Sequence, residues 1–234
     1  MRFGIIGAME IEIERLKKGM DIEEEFKKAN MTFYSGKLKG KKVVLVRSGI
    51  GKVNAAVCTQ ILIDEFEIDK IIFTGVAGAV DPQLDVGDIV ISEDVVQHDV
   101  DVTAFGRELG EIPELNRASF KADKNLVQMA KEIGEKVLSE GGGSKVKVGR
   151  VLSGDQFISN NDKAKWLREK FSGSCTEMEG ASVGQVAFLN NIPFVIIRSI
   201  SDKADGEANI SFDEFLPLAA RNSYNIVKGI LGEI

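Results

Sequence analysis

Short apolar runs alternate with amphipathic stretches along the whole chain. Near-continuous apolar runs within residues 2–7, 69–75, 87–97 and 194–200 predict strands buried on both faces, as in a parallel sheet. The other patterns predict strands at 31–38, 42–48 and 146–153, and helices from residue 10, over 53–66, 123–140 and 161–171, after Glu179 and from about Ser211. This alternation predicts one α/β domain, residues 1–234, with a largely parallel or mixed sheet.

Composition narrows the class of partner. The chain has 234 residues, a net charge of −6 and a sequence pI of about 5.1, which disfavours nucleic acid and anionic membranes as partners. Its apolar runs fall short of the roughly 20 residues of a membrane span, and it begins in a strand without a signal-peptide pattern. Its two cysteines lack metal-binding spacing. We therefore expect a cytoplasmic protein that binds no nucleic acid, membrane, metal or cofactor.

The last predicted strand, P-F-V-I-I-R-S-I-S-D at residues 193–202, ends abruptly in Ser201 and Asp202. Chemistry in open α/β sheets gathers just beyond the carboxyl ends of strands, which makes Asp202 a functional candidate. Aspartate is also common as a turn cap. This stretch alone leaves both interpretations open.

Three further features have both a functional and a structural interpretation. The turn G-I-G-K at residues 49–52 opens a helix and could hold an anion, although this pattern is a weak signal. The small residues after residue 75 would let a ligand approach the backbone. The polar loop at 98–113 is long enough to suggest a functional segment or an interface. For His98, the only histidine, a hydrogen-bonded structural role beside Asp99 is favoured over catalysis.

Three acids, Glu12, Glu179 and Asp202, lie at predicted strand ends or strand-to-helix junctions. If they converge, the site has three carboxyl groups and needs no histidine, metal or cysteine nucleophile. Such a site suits a cationic transition state, and glycosidic cleavage is the standard case. Burial and mutual repulsion would raise at least one carboxyl pKa and leave a proton donor near neutral pH.

Six ordered motifs resemble those of a known family. They are G-I-I-G-A-M-E-x-E (4–12), S-G-I-G-K-V-N-A-A (48–56), H-D-V-D-V-T-A-F-G (98–106), S-G-D-Q-F-I (153–158), E-M-E (177–179) and R-S-I-S-D-x-A-D (198–205). Over nearly the whole chain the sequence resembles the 5′-methylthioadenosine/S-adenosylhomocysteine nucleosidases of the nucleoside phosphorylase superfamily. The resemblance implies a three-layer α/β/α sandwich with a central mixed β-sheet, a homodimer, and hydrolysis of the N-glycosidic bond of an adenine nucleoside to adenine and a thioribose.

The resemblance also implies roles for single residues. Asp202, oriented by Ser201, would protonate N7 of adenine. Glu12 would activate water for attack on the ribosyl C1′. Glu179 would hold the ribose hydroxyls, with Met178 packed against the sugar.

The remaining implied positions concern binding. Phe157 would stack on adenine and the backbone of Ile158 would read its edge, while Arg198 would orient the acids. Further implied binding residues are Met9, Ile50, Val76, Ala77, Gly78, Glu177 and Phe212. Val102, Phe105 and Pro113 would reach the thioalkyl pocket of a partner subunit.

One departure and two alternatives accompany this resemblance. Many family members have serine where this chain has Val76, which removes a polar group near the acid and sugar. A phosphate-dependent purine nucleoside phosphorylase of the same fold is disfavoured, because Met9, Glu10, Phe73 and Val76 stand where its phosphate site needs cations and hydroxyls. A non-catalytic nucleoside-binding module is disfavoured because the acids are retained. Among methylthioadenosine, S-adenosylhomocysteine, 5′-deoxyadenosine and aminodeoxyfutalosine, the sequence does not select the substrate.

Overall fold

The computed structural model describes residues 1–139, 144–205 and 208–233, without the side chains of 209–211 and 213. In chain order the elements are β1 (Arg2–Gly7), α1 (Glu10–Lys18), β2 (Asp21–Lys28), β3 (Met31–Leu38), β4 (Lys41–Arg47), α2 (Lys52–Phe66), β5 (Lys70–Ala79), β6 (Ile89–Gln97), β7 (Ser119–Lys121), α3 (Lys124–Ser139), β8 (Val146–Ser153), α4 (Asn161–Phe171), β9 (Gly173–Glu177), α5 (Gly180–Leu189), β10 (Phe194–Asp202) and α6 (Ala208–Glu233). A short 3₁₀ turn spans Thr103–Phe105. None of these helices is long and apolar enough to cross a membrane.

The strands form one mixed sheet in the order β10-β6-β8-β9-β5-β1-β4-β3-β2, with β7 paired to β6. Strand β1 lies parallel to both β4 and β5, and Ile5 is opposite Leu45 and Ile72. Strand β5 pairs with β9 and also with β10, so five strands close into a ring. At the junction Gly78 is paired with Thr176 and with Asp202, which brings three strands to one point.

Alternating side chains of the sheet build two separate cores. Phe3 and Ile5 of β1 pack into one apolar cluster and Ile6 into the other, because successive side chains of a strand point to opposite faces. The first cluster includes side chains of α1, α3 and α6, and the second those of α2 and α5. Helices therefore cover both faces, and the predicted three-layer α/β/α sandwich is confirmed.

The structure differs from the sequence pattern at several elements. Strand β2 was not predicted, because D-I-E-E-E-F-K-K is charged and mostly exposed at the sheet edge, where charge discourages pairing with other chains. Strand β9, G-S-C-T-E, is too short to show periodicity, and β7 shorter still. Strand β5 continues to Ala79, and α6 begins at Ala208. The end of the helix predicted over 123–140 lies beyond the described residues.

Candidate active site

A cavity of about 110 Å³ is lined by residues of β5, by the ends of β9 and β10, by the loops that follow β1, β4, β8 and β9, and by one residue each of α1 and α6. It brings together the three acids that the sequence singled out, Glu12, Glu179 and Asp202. The other predicted residues that line it are Met9, Ile50, Val76, Ala77, Gly78, Phe157, Glu177, Met178, Ser201 and Phe212. The predicted residues outside the lining are Ile158, Arg198, Val102, Phe105 and Pro113.

Glu12 stands in the first turn of α1, directly after β1. Its Oε2 accepts hydrogen bonds from the N–H groups of Ala8 (2.7 Å) and Met9 (2.8 Å), and its Oε1 accepts one from Val76 N–H (3.1 Å). The start of a helix leaves such amides unpaired, so local helix chemistry fixes this side chain. Burial raises the pKa of Glu12, while the charge of Arg198 and these three hydrogen bonds oppose the shift.

Asp202 is the last residue of β10. Its Oδ2 accepts a hydrogen bond from Ser201 Oγ (2.8 Å), and its Oδ1 accepts one from Ala204 N–H (2.8 Å). The two interpretations of this residue are therefore compatible, since Asp202 caps the turn and also lines the cavity. Burial raises the pKa of Asp202, the two hydrogen bonds oppose the shift, and the nearby charge of Asp205 adds to it.

Glu179 immediately precedes α5 and faces the start of α2. Its Oε1 accepts a hydrogen bond from Gly51 N–H at 2.7 Å, and the next amide, Lys52 N–H, donates to Asp155 Oδ1 at 2.8 Å. The G-I-G-K turn thus binds two carboxylates of the protein itself. Burial, together with the charge of Glu177, raises the pKa of Glu179 to about 8.

Glu177 and Arg198 form a fully buried ion pair beside the cavity. Arg198 Nη2 and Nε lie 2.5 Å and 3.2 Å from Glu177 Oε2, and Ser153 Oγ and Gly180 N–H also donate to Glu177. The guanidinium Cζ lies 3.9 Å from the ring centroid of Phe73. Although Arg198 does not line the cavity, its charge favours the ionised forms of the neighbouring carboxyl groups.

Two glycines of β5 make room for these charged groups. A Cβ on Gly75 would lie 2.5 Å from Glu12 Oε1 and 3.0 Å from Arg198 Nη1. A Cβ on Gly78 would lie 2.7 Å from Asp202 Oδ1. We expected the small residues after residue 75 to let a ligand approach the backbone, and Val76, Ala77 and Gly78 do line the cavity. Gly75 and Gly78 in addition leave room for the protein's own side chains.

The apolar part of the lining contains an aromatic pair. The rings of Phe157 and Phe212 meet edge to face, with centroids 5.9 Å apart and planes at 88°. Phe157 is 48% exposed, so much of its ring is open to contact. The side chain of Ile158 is buried in the cluster around α4, and any contact with a ligand at this position falls to its backbone.

The three residues that the resemblance assigns to a partner subunit lie away from this chain's own cavity. Phe105 is 86% exposed, Pro113 is exposed, and Val102 is half-buried. All three belong to the loop at 98–113. The loop therefore presents apolar side chains outward.

His98, at the start of the same loop, is buried and does not line the cavity. Its ring nitrogens have no hydrogen-bond partner among the residues that the structure describes, and burial lowers its pKa. The hydrogen bond expected beside Asp99 is not formed, because the Asp99 carboxylate pairs with Lys52. The buried position of His98 agrees with a structural role, in which the ring is held by packing and not by hydrogen bonds.

Two lining residues were missed from the sequence. Ala8 adjoins the predicted Met9, and Thr176 precedes the E-M-E motif in the unpredicted strand β9. The Thr176 hydroxyl has no hydrogen-bond partner in the described part of the chain. Its position next to that motif was the only signal that could have found it.

The lining is strongly acidic. Four carboxyl groups, those of Glu12, Glu177, Glu179 and Asp202, line the cavity, and the described lining contains no lysine or arginine. An incoming phosphate would be repelled and would find no cationic donor. Positive charge that develops on a sugar would be stabilised. The arrangement therefore suits glycosidic cleavage with water as the nucleophile.

A family model of the phosphorylase superfamily matches residues 2–232. The 5′-methylthioadenosine/S-adenosylhomocysteine nucleosidase of Haemophilus influenzae (strain PittEE) is 47% identical over 228 residues, which cover 97% of this chain and 97% of that protein. The crystal structure of the Neisseria meningitidis nucleosidase of the same name, in complex with methylthio-immucillin-A, matches with a TM-score of 0.93 and 42% identity, covering 100% of this chain and 99% of the other. Futalosine hydrolase of Helicobacter pylori strain 26695 matches with a TM-score of 0.92 and 37% identity, covering 100% and 98%. The chain therefore belongs to the phosphorylase superfamily and, within it, to the family of 5′-methylthioadenosine/S-adenosylhomocysteine nucleosidases.

Replacing Glu179 with glutamine should weaken the pH dependence of stability. The pKa of this carboxyl group rises from 4.5 in the unfolded chain to about 8 in the folded one. Its contribution to the free energy of unfolding is therefore complete below pH 4.5 and is lost as the pH rises to about 8. Glutamine cannot ionise, so the variant should lose less stability than the wild type over this interval. Urea unfolding across the interval measures the difference, with the exposed Glu24→Gln as control. Equal pH dependence in wild type and Glu179→Gln would contradict the assignment.

Proposed function

We propose that the protein hydrolyses the N-glycosidic bond of 5′-methylthioadenosine and S-adenosylhomocysteine, releasing adenine and the corresponding thioribose. The observation that carries the proposal is the convergence of Glu12, Glu179 and Asp202 on one cavity that also has an aromatic wall. The substrate class is supported by the name of the 47% identical Haemophilus influenzae relative. The futalosine hydrolase neighbour is named for a different nucleoside, so the 5′ substituent of the preferred substrate is a matter for experiment.

Asp202 is the general acid in this proposal. When the bond between C1′ and adenine breaks, the electron pair moves onto the base, and a proton delivered to N7 makes adenine a neutral leaving group. Burial raises the pKa of Asp202, so this carboxyl group keeps a larger protonated fraction than an ordinary aspartate at the same pH. The hydrogen bond from Ser201 Oγ to Oδ2 and that from Ala204 N–H to Oδ1 fix the carboxyl group in place.

Glu12 is the general base. Water forms the new bond to C1′ and passes a proton to the Glu12 carboxylate. A base whose pKa is raised toward the working pH is more effective than an ordinary carboxylate. The three hydrogen bonds from backbone N–H groups hold the Glu12 carboxylate in one orientation throughout the reaction.

Glu179 and the aromatic wall position the substrate. The Glu179 carboxyl group can bind the ribose hydroxyls, with Met178 against the sugar, while Phe157 stacks on adenine and the backbone of Ile158 reads its edge. The acidic lining stabilises the oxocarbenium-like sugar. Arg198 acts behind Glu177 and keeps the ionised carboxyl groups stable.

The first test is cleavage in phosphate-free buffer. Because the described lining offers no cation for phosphate, adenine release from methylthioadenosine should proceed at the same rate without phosphate and yield the free thioribose. Chromatography of both products measures this, with S-adenosylhomocysteine, 5′-deoxyadenosine and aminodeoxyfutalosine as further substrates. A strict requirement for phosphate would establish the phosphorylase alternative instead.

Asp202→Asn and Glu12→Gln should each lower kcat by about 10²–10⁴-fold, the usual contribution of a general acid or base. Both replacements keep the size of the side chain, so the melting temperature should change little. The exposed Asp85→Asn is the matched control and should retain full rate. A variant of Glu12 or Asp202 with near-normal turnover would remove that residue from the mechanism. Binding without turnover in the wild type would favour a nucleoside-binding module.

We also propose that the protein is a homodimer in which the loop at 98–113 of each subunit reaches the other subunit's cavity. Large apolar side chains are exposed on α2 and α5, which pack against each other, and on the loop itself. They are Val53, Val57, Phe188, Leu189 and Phe105. Exposed apolar side chains grouped in this way favour a protein–protein interface.

Phe105→Ala should leave the dimer intact and raise KM for methylthioadenosine by roughly tenfold, since burial of a phenylalanine side chain stabilises by about 1.5–3 kcal/mol. Sedimentation should give about twice the 25.5 kDa chain mass for both proteins. Lys28→Met, at an exposed ion pair with Glu65, is the control. A monomeric wild type with full activity would contradict the shared site.

The proposed location is the cytoplasm. Cys58 and Cys175 are free and buried, and burial raises both thiol pKa values, so neither thiol is a ready nucleophile or redox group. Buried free thiols fit a reducing compartment. Cell fractionation with activity measurement tests the location, and activity confined to an extracellular fraction would contradict it.

A further inference from the structure

Three segments from distant parts of the chain meet beside the cavity. Lys52 Nζ lies 2.6 Å from Asp99 Oδ1. Asp155 N–H donates to Asp99 Oδ2 at 3.0 Å, and Lys52 N–H donates to Asp155 Oδ1 at 2.8 Å. These three residues therefore form a closed triangle of contacts, which we call the Lys52 triad.

Within the Lys52 triad the Lys52–Asp99 pair is more protected from solvent than ordinary surface ion pairs, whereas Asp155 is exposed. The side chains of Lys52 and Asp99 are 18% and 17% exposed, whereas those of Lys28 and Glu65, another lysine–acid pair, are 49% and 36% exposed. Burial acts to raise the pKa of Asp99, but the hydrogen bonds from Lys52 and Asp155 outweigh it and hold the pKa below its ordinary value. Charge-assisted bonds in partly buried surroundings are stronger than exposed ones.

Two glycines allow the three segments to approach closely. A Cβ on Gly154 would lie 2.4 Å from His98 Nε2 and 3.2 Å from Asp99 Cγ. Gly51 has a φ of +97°, and a Cβ there would lie 3.2 Å from Asp155 Oδ1. The motifs at 48–56, 98–106 and 153–158 are distant in sequence and thus pack against one another at one place.

Each arm of the triad continues into a part of the cavity. Next to Lys52, Gly51 N–H binds Glu179 at 2.7 Å. Two residues after Asp155 comes Phe157, which is 48% exposed. Asp99 lies at the root of the loop at 98–113. The triad thus links the segment that carries Phe157 with the turn whose amide binds Glu179.

We propose that Lys52, Asp99 and Asp155 are positioning residues that hold the segment 154–158, and with it Phe157, against the start of α2. This inference rests on the proposed function for its consequence, which is that adenine binds less well when the segment is released. The Lys52 ammonium is the essential member, because it neutralises Asp99 and so keeps that carboxylate available to the Asp155 amide. None of the three touches the reacting atoms in the proposed mechanism.

The test compares Lys52→Met with Lys28→Met, the matched loss of an exposed lysine pair. Lys52→Met should speed hydrogen exchange of the amides in 154–158. It should raise the adenine Kd and the methylthioadenosine KM about tenfold, which corresponds to about 1.4 kcal/mol, and leave kcat within about threefold of wild type. Lys28→Met should change none of these. Lys52→Arg, which keeps the cation, should restore both constants to within about threefold of wild type.

A second comparison tests whether the pair acts as a unit. Asp99→Asn should resemble Lys52→Met, and the double variant should be no worse than either single one, because residues of one network are not additive. Unchanged hydrogen exchange in 154–158 of Lys52→Met would overturn the proposal. So would faster exchange with unchanged adenine Kd and KM, which would reduce the triad to a stability element. If the wild type binds adenine but cleaves no nucleoside, the proposed function fails while the exchange and adenine measurements still decide the positioning role.

Discussion

The site depends on one buried guanidinium among several buried acids. Arg198 is 1% exposed and is bonded to Glu177, and three more carboxyl groups line the adjoining cavity. Burial of a charge is costly unless the charge is paired or neutralised by a proton. One guanidinium cannot neutralise four carboxylates, so protonation of part of this set lowers the cost of burying it. Burial is the largest cause of the raised pKa values of Glu12, Glu179 and Asp202, and a proton donor and a proton acceptor can then coexist in one cavity.

Backbone amides at the starts of helices also stabilise the buried carboxylates. The two amides that precede α1 bind Glu12, the amide that precedes α2 binds Glu179, and the first amide of α5 binds Glu177. The start of a helix carries partial positive charge and unpaired N–H groups, so each of these contacts favours an ionised carboxylate. The mixed sheet makes this possible, because Gly78 pairs with both β9 and β10 and brings their ends together beside β1. The fold thus directs three helix starts at one cavity.

The sequence predicted the elements with strong periodicity and the acids at their ends, because a buried strand and its abrupt polar ending are both local signals. It missed β2 and β9, whose residues are respectively charged at an edge and too few to show a period. It did not show that Gly75 and Gly78 also make room for charged side chains, since no local pattern tells whether a side chain from another element will approach a glycine. Contacts such as those of Lys52 with Asp99 join residues far apart in the chain, and only the folded structure places them together.

The backbone and the side chain of Val76, where many family members have serine, have different parts in the site. The bond that this position makes to Glu12 comes from its N–H group, at 3.1 Å, and every residue except proline can supply it. The valine therefore leaves the orientation of Glu12 intact and changes only the polarity of the wall. Because Val76 lines the cavity, its side chain gives the wall two methyl groups where a serine would give a hydroxyl. The departure from the family pattern thus changes the polarity of the cavity wall, while the contact that helps to orient Glu12 is made by the backbone.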